Sequence, residues 1–186
     1  MRTYVYDCDP EFSFIARIEP GKAWLFLPGK TIDLPQVVSA SGAKYSAEGY
    51  SFWSKGEEAT LETDMNQHTG CINNRARAIW EHAKLNGVDF RAVGNEPGWT
   101  MEISNKQDLL LVTDYGQQTY RFSSAIMKTE LHGRTTIYNA KNDNDMVEIV
   151  IRGKPCRDSM SGEAFSTTVS VLLNNNQYTG CGRPLY

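Results

Sequence analysis

Five glycine turns, Pro20-Gly21, Pro28-Gly29, Ser41-Gly42, Glu48-Gly49 and Lys55-Gly56, cut the first seventy residues into short segments. Such dipeptides end regular structure, because proline fixes φ and glycine accepts positive φ. Within the segments apolar and polar residues alternate. Phe12, Phe14, Ala16 and Ile18 interleave with Ser13, Ile15 and Arg17, while Tyr4, Tyr6 and Cys8 share one face of the preceding run. A period of two is that of a strand with one buried face. Lys22 to Leu27, Lys44 to Ser46, Tyr50 to Ser54 and Ala59 to Thr63 read the same way. Many short antiparallel strands joined by tight turns predict a small barrel or sandwich.

A helical pattern follows. Ala76, Ile79, Trp80 and Ala83 stand at i, i+3, i+4 and i+7, with Asn73 or Asn74 as N-cap and Asn86-Gly87 as the stop. Arg77 and Glu81 are spaced to pair at i, i+4. The helix either joins two domains or closes the first one. Strands resume from Phe90: Met101 to Ile103, Leu109 to Thr113, Thr119 to Phe122, Thr135 to Tyr138 and Met146 to Arg152. Val169, Val171 and Leu173 alternate in a last clear strand before the Asn174-Asn175-Asn176 turn. The division expected is 1–73, a linking helix at 74–87, and a second β-rich domain over 88–186.

Four cysteines fall two to each half: Cys8 and Cys71, Cys156 and Cys181. None lies in a C-x-x-C pair and only three histidines accompany them, so the spacing speaks against zinc. Of the three possible connectivities, locality favours Cys8–Cys71 and Cys156–Cys181. Each bridge would contribute about 3–4 kcal/mol. Four buried thiols in a cytosolic chain are the alternative. Disulfides imply a periplasmic or extracellular site. Residues 1–20 hold no apolar stretch like that of a secretory signal, so the expectation is a mature chain with an added start Met.

The formal net charge of −3 argues against nucleic acid as partner. The charge is uneven, with ten acidic and six basic side chains in residues 1–74 against twelve and thirteen in the rest. The acidic first half suits a cationic partner. No window is apolar enough for a transmembrane helix.

Residues 37–61 carry the densest functional signal. A hairpin closed at Glu48-Gly49 can bring Ser41 and Lys55 to one end of its sheet. Ser39, Ser41, Lys55 and the turn N–H groups would then form a cationic, donor-rich edge fit for a carboxylate or phosphate. A polar turn with a solvated lysine is the plainer reading.

Residues 4–71 resemble the membrane-bound or periplasmic inhibitors of c-type lysozyme, the MliC/PliC type. The resemblance lies in Tyr6-x-Cys8, Ser39-x-Ser41-Gly42-x-x-Tyr45, Phe52-Trp53-x-Lys55-Gly56-x-x-Ala59-x-Leu61, and Cys71. Asp9-Pro10-Glu11 departs from it, since glycine often follows the first cysteine in that family. The resemblance implies an eight-stranded antiparallel barrel tied by Cys8–Cys71, and a c-type lysozyme as partner. It also implies that the loops bearing Ser41 and Lys55 enter the lysozyme cleft, with Ser39, Gly42, Tyr45 and Gly56 completing the motif. A lipid anchor in the precursor and a periplasmic or outer-membrane location go with it; no cofactor does.

The second half resembles uncharacterised envelope lipoprotein domains. The motifs are Gly94-Asn95-Glu96-Pro97-Gly98-Trp99, Cys156-x-Asp158-x-Met160-Ser161-Gly162 and Gly180-Cys181-Gly182. Asn95 to Gly98 reads as a tight turn before a strand. Glu96 and Asp158 could form a glycosidase-like pair, which makes a cell-wall-modifying enzyme one rival function. A cell-envelope binding module without inhibition is the other. His68 and His132 read as loop residues.

Overall fold

The computed structural model describes residues 1–129 and 134–186; His132 lies outside the described residues. The chain divides into two compact units, 1–82 and 83–186.

In the first unit eight strands close an antiparallel barrel in chain order. They are β1 (Arg2–Asp9), β2 (Phe12–Glu19), β3 (Lys22–Leu27), β4 (Lys30–Val37), β5 (Ala43–Ala47), β6 (Tyr50–Lys55), β7 (Glu58–Glu62) and β8 (Gln67–Asn73). Closure comes from β1 pairing with β8, Asp7 opposite Ile72, with a bulge between Asp7 and Asp9. A closed sheet has no free edge strand to aggregate. The alternation read from the sequence points Tyr6, Phe14, Ala16, Leu25 and Phe52 inward, each at most 1% exposed. Tyr6, Phe14 and Phe52 meet as an aromatic triad, with centroids 5.3–5.9 Å apart. Cys8 is bonded to Cys71. The bridge lies in the core because β1 and β8 are barrel neighbours.

His68 is in β8, not in a loop, and its ring stacks on Phe12 at 3.7 Å. Two strands of the barrel escaped the sequence reading. β4 buries only Leu34, and β8 buries only Cys71. Their pairing on both sides, rather than an apolar face, makes them strands.

Helix α1 (Arg75–Leu85) follows. Asn74 is its cap: the side-chain Oδ1 accepts from Arg77 N at 3.1 Å. The buried face differs from the expected stripe. Ala78, Trp80 and Ala83 are buried, whereas Ala76 and Ile79 are exposed. Arg77 also departs from the expected pairing with Glu81 and reaches Asp7 Oδ1 at 2.6 Å. Asp7 accepts from Asn74 as well, at 2.9 Å.

The second unit is an antiparallel sheet of nine strands. These are β9 (Val88–Asn95), β10 (Gly98–Ser104), β11 (Asp108–Thr113), β12 (Gln118–Phe122), β13 (Ile126–Thr129), β14 (Thr135–Lys141), β15 (Met146–Arg152), and two later in the chain. A short ribbon, β16 (Cys156–Arg157) with β17 (Ala164–Phe165), precedes β18 (Thr167–Leu173) and β19 (Asn176–Pro184). The order across the sheet is β12-β11-β10-β9-β19-β18-β15-β14-β13. Thus β19 returns to pair with β9, Cys181 opposite Val93. Val147, Ile149, Val169, Val171 and Leu173 pack with Trp99, Met101 and Leu111. Cys156 and Cys181 are bonded.

Candidate functional site

The turns β2–β3, β4–β5 and β6–β7 lie at one end of the barrel, because consecutive strands run antiparallel. The second carries Ser39, Ser41 and Gly42, and the third carries Lys55 and Gly56. Register brings them together: Ala43 pairs with Ser54, and Lys44 with Trp53. At Gly42 the loop comes close to β6. It sits at φ +68°, and a Cβ there would lie 2.4 Å from the Ser54 carbonyl oxygen and 3.2 Å from Lys55 Cβ. Only glycine lets the loop close onto β6 in this way.

Two hydrogen bonds shape the loop. Ser39 Oγ donates to the Gly42 carbonyl at 3.1 Å. Trp53 Nε1 donates to the Ser41 carbonyl at 2.8 Å. The Ser41 hydroxyl and the Lys55 ammonium, both exposed, have no partner among the described residues. Lys55 ends β6, opposite Glu58 on β7. Glu57, two residues on, is engaged elsewhere. Its Oε1 accepts from Arg75 at 2.7 Å and its Oε2 from Asn73 at 2.8 Å. The Arg75 bond, with that of Asn73, holds the Glu57 carboxyl down at a pKa of about 2.

Tyr45 is placed differently from the rest of the motif. It is 3% exposed and stacks on Phe52, so it supports the hairpin from inside. Gly56 stands at φ +62° with nothing near its Cβ position. Sequence reasoning passed over Val38, fully exposed in the same loop as Ser41. The available signal was the apolar pair Val37-Val38, at and just past the end of β4, beyond its last inward residue, Leu34.

In the second unit Asp158 is 8% exposed. Its Oδ1 accepts from Asn95 Nδ2 at 2.7 Å; its Oδ2 accepts from Ser161 N at 2.6 Å, Ser161 Oγ at 2.7 Å and Met160 N at 3.2 Å. The Ser161 amide, foremost among these donors, holds the carboxyl below the usual range. Asp158 therefore caps the 158–162 turn. A cavity of about 360 Å³ beside it is lined by Asn95, Cys156, Asp158, Ser159, Ser170 and Thr179 among others. Glu96, exposed in the β9–β10 turn, is not part of its wall. The arrangement suits a structural cap better than half of a glycosidase pair.

The first unit is thus a disulfide-tied, closed eight-stranded barrel presenting a serine loop and a lysine turn side by side. Residues 6–69 match the family described as membrane-bound lysozyme-inhibitor of c-type lysozyme. Proteins named membrane-bound lysozyme inhibitor of C-type lysozyme are similar to this chain. One from Yersinia enterocolitica is 58% identical over 43 residues, covering 23% of this chain and 37% of that protein. One from Pseudomonas aeruginosa is 59% identical over 34 residues, covering 18% and 27%. One from Escherichia coli K12 is 38% identical over 60 residues, covering 32% and 55%. The chain therefore spans about half or less of the length of these relatives. No solved structure matches it.

Proposed function

We propose that the barrel inhibits a c-type lysozyme by inserting the Ser41 loop and the Lys55 turn into the enzyme's cleft. The observation that carries this reading is the close approach of the Gly42 backbone to Ser54 and Lys55, which sets the serine loop beside the lysine turn. Lysozymes of this class work with two carboxylates, one a protonated acid in an apolar pocket and the other ionised. An ammonium between them pairs with the ionised group and favours ionisation of the other, which removes the general acid. The Ser41 hydroxyl can hydrogen-bond the second carboxylate. The excess of acidic side chains in residues 1–74 would speed encounter with a basic enzyme.

The match over residues 6–69 and the three relatives named as inhibitors support this assignment. The relatives' membrane-bound name and the two disulfides support a place in the periplasm or at the outer membrane, with the precursor lipidated. The test is lysis of a cell-wall suspension by a c-type lysozyme with and without the purified chain. Inhibition that Lys55→Ala weakens is the expected result. Full lysis at every inhibitor concentration overturns the reading, and binding without inhibition would make the barrel a docking module.

A further inference from the structure

The geometry points to Trp53 as the positioning residue that sets Ser41 in register with Lys55. This rests on the lysozyme-inhibitor reading of the same loop pair. Trp53 lies on β6 between Phe52 and Ser54, whose side chains are buried, so its own side chain is on the outer wall of the barrel. There its indole is flanked in register by Lys44 on β5 and Thr60 on β7. Nε1 donates to the Ser41 carbonyl at 2.8 Å. The Cβ position of Gly42 is 3.1 Å from the same nitrogen.

Among the described residues this is the one side-chain hydrogen bond from the barrel wall to the 38–42 loop; the Ser39–Gly42 bond is internal to the loop. What it fixes follows from the planarity of the peptide unit. The Ser41 carbonyl belongs to the Ser41–Gly42 peptide plane. Pinning that oxygen therefore fixes ψ of Ser41 and φ of Gly42 together. Ser41 ψ sets the direction of its side chain relative to the strand that follows. Trp53 also stands two residues before Lys55 on a strand paired on both sides. One side chain thus references the loop-borne member of the pair to the strand-borne one. Loops held in their bound geometry lose less entropy on binding, which appears directly as affinity.

The test replaces the N–H while keeping the ring. 3-Benzothienylalanine at position 53 puts sulfur where Nε1 stands, and Trp53→Phe is a second variant should incorporation fail. Inhibition constants against a c-type lysozyme are measured for the full chain in each background, alone and with Ser41→Ala or Lys55→Ala. The analogue should weaken inhibition about threefold to tenfold, the range for one neutral hydrogen bond. Ser41→Ala should add little in the analogue background, while Lys55→Ala should keep its full penalty. A merely structural role would scale both penalties alike. Unchanged inhibition by the analogue, or penalties of analogue and Ser41→Ala that multiply, overturns the proposal. Failure of the lysozyme reading has another signature: parent, Ser41→Ala and Lys55→Ala are all equally inactive. In that case slow hydrogen exchange of the Trp53 indole N–H upholds the tether, and exchange at the solvent rate overturns it.

Discussion

Arg75 donates to Oε1 of Glu57 at 2.7 Å, so the first residue of α1 grips the turn that follows Lys55. The contact is one of several. Asn73 Nδ2 donates to the other Glu57 oxygen, Asn73 N donates to the Glu57 carbonyl at 2.8 Å, and Asn73 Oδ1 accepts from Val5 N at 3.1 Å. Asn74 and Arg77 both hold Asp7. Each exposed ion pair alone contributes little, because solvent screens it. The side-chain cap that Asn74 gives the helix adds ~1 kcal/mol. The barrel strands and disulfide are complete by residue 73, yet a fragment ending at 73 is expected to be less stable than one ending at 87 by about 1 kcal/mol or more. Urea midpoints of the two fragments check this. Equal midpoints would show that the helix adds nothing to the barrel.

Acid should loosen the same junction. The Arg75 hydrogen bond, then that of Asn73, lowers Glu57 from an ordinary 4.5 to about 2. A carboxylate whose folded pKa is depressed stabilises the fold fully above its unfolded value and loses that effect as pH falls through the folded one. The loss is therefore expected between pH 4.5 and 2. Asp7, held chiefly by Asn74 and with further help from Ser13 and Arg77, has the same sign. Side-chain NMR titration of Glu57 should find the low value in the parent and a return toward 4.5 in Arg75→Met. An ordinary value in the parent would contradict the contact.

How far the sequence carried this fold depended on how much each segment buries. Strands with a full inward face, such as Phe12 to Ile18 or Val169 to Leu173, are legible because period two registers one-sided burial. Lys30 to Val37 and Gln67 to Asn73 are strands only because neighbours on both sides complete their hydrogen bonds, a non-local cause that no local pattern records. Barrel closure was read from the resemblance for the same reason. In the site, Ser41 and Lys55 stood out through their glycines. The role of Trp53 did not, because a tryptophan in a strand pattern reads as core until its face is known. The helix stripe was rotated in the reading because Ala76 and Ala78 are equally apolar by sequence. Which of them is buried depends on the barrel holding Asn74 and Arg77 through Asp7.

Asp158 offers a separation between the structural and the catalytic reading of the second unit. Removing its carboxylate strands the donors of Asn95, Ser161 and Met160. Asp158→Ala is expected to cost about 1–3 kcal/mol, the usual penalty for buried polar groups left unpaired. Glu96→Gln, in an exposed turn, is expected to change stability by less than ~0.5 kcal/mol. Thermal melts of the full chain read both. A hydrolytic activity on cell-wall glycan that either substitution abolishes would restore the enzyme reading.

Lys55→Ala should weaken lysozyme binding more than Ser41→Ala. Truncating one side of a buried charged pair typically costs ~2–5 kcal/mol, some thirtyfold or more in affinity. A lost neutral hydroxyl contact costs nearer ~1–2 kcal/mol. Lys44 serves as the control, since it is paired with Trp53 on the barrel wall and stands outside the loop pair. Surface plasmon resonance at fixed salt orders the three. Parent-like binding by Lys55→Ala together with loss in Lys44→Ala would exclude insertion of Lys55 between the two carboxylates.

Gly42 and Gly56 separate steric closure from backbone strain. Both have positive φ, +68° and +62°, so alanine at either is strained by roughly 1 kcal/mol. Gly56 has open space at its Cβ position, whereas at Gly42 the added carbon meets the Ser54 carbonyl oxygen at 2.4 Å. Because that oxygen is backbone, the clash cannot be relieved by turning a side chain; the 38–42 loop must lift from β6. Lifting it breaks the Trp53–Ser41 bond and separates Ser41 from Lys55. Gly42→Ala should therefore lose inhibition at least tenfold more than Gly56→Ala at a similar melting temperature, and its Trp53 indole N–H should exchange faster. If the two variants inhibit alike, close approach at Gly42 is not what presents the pair.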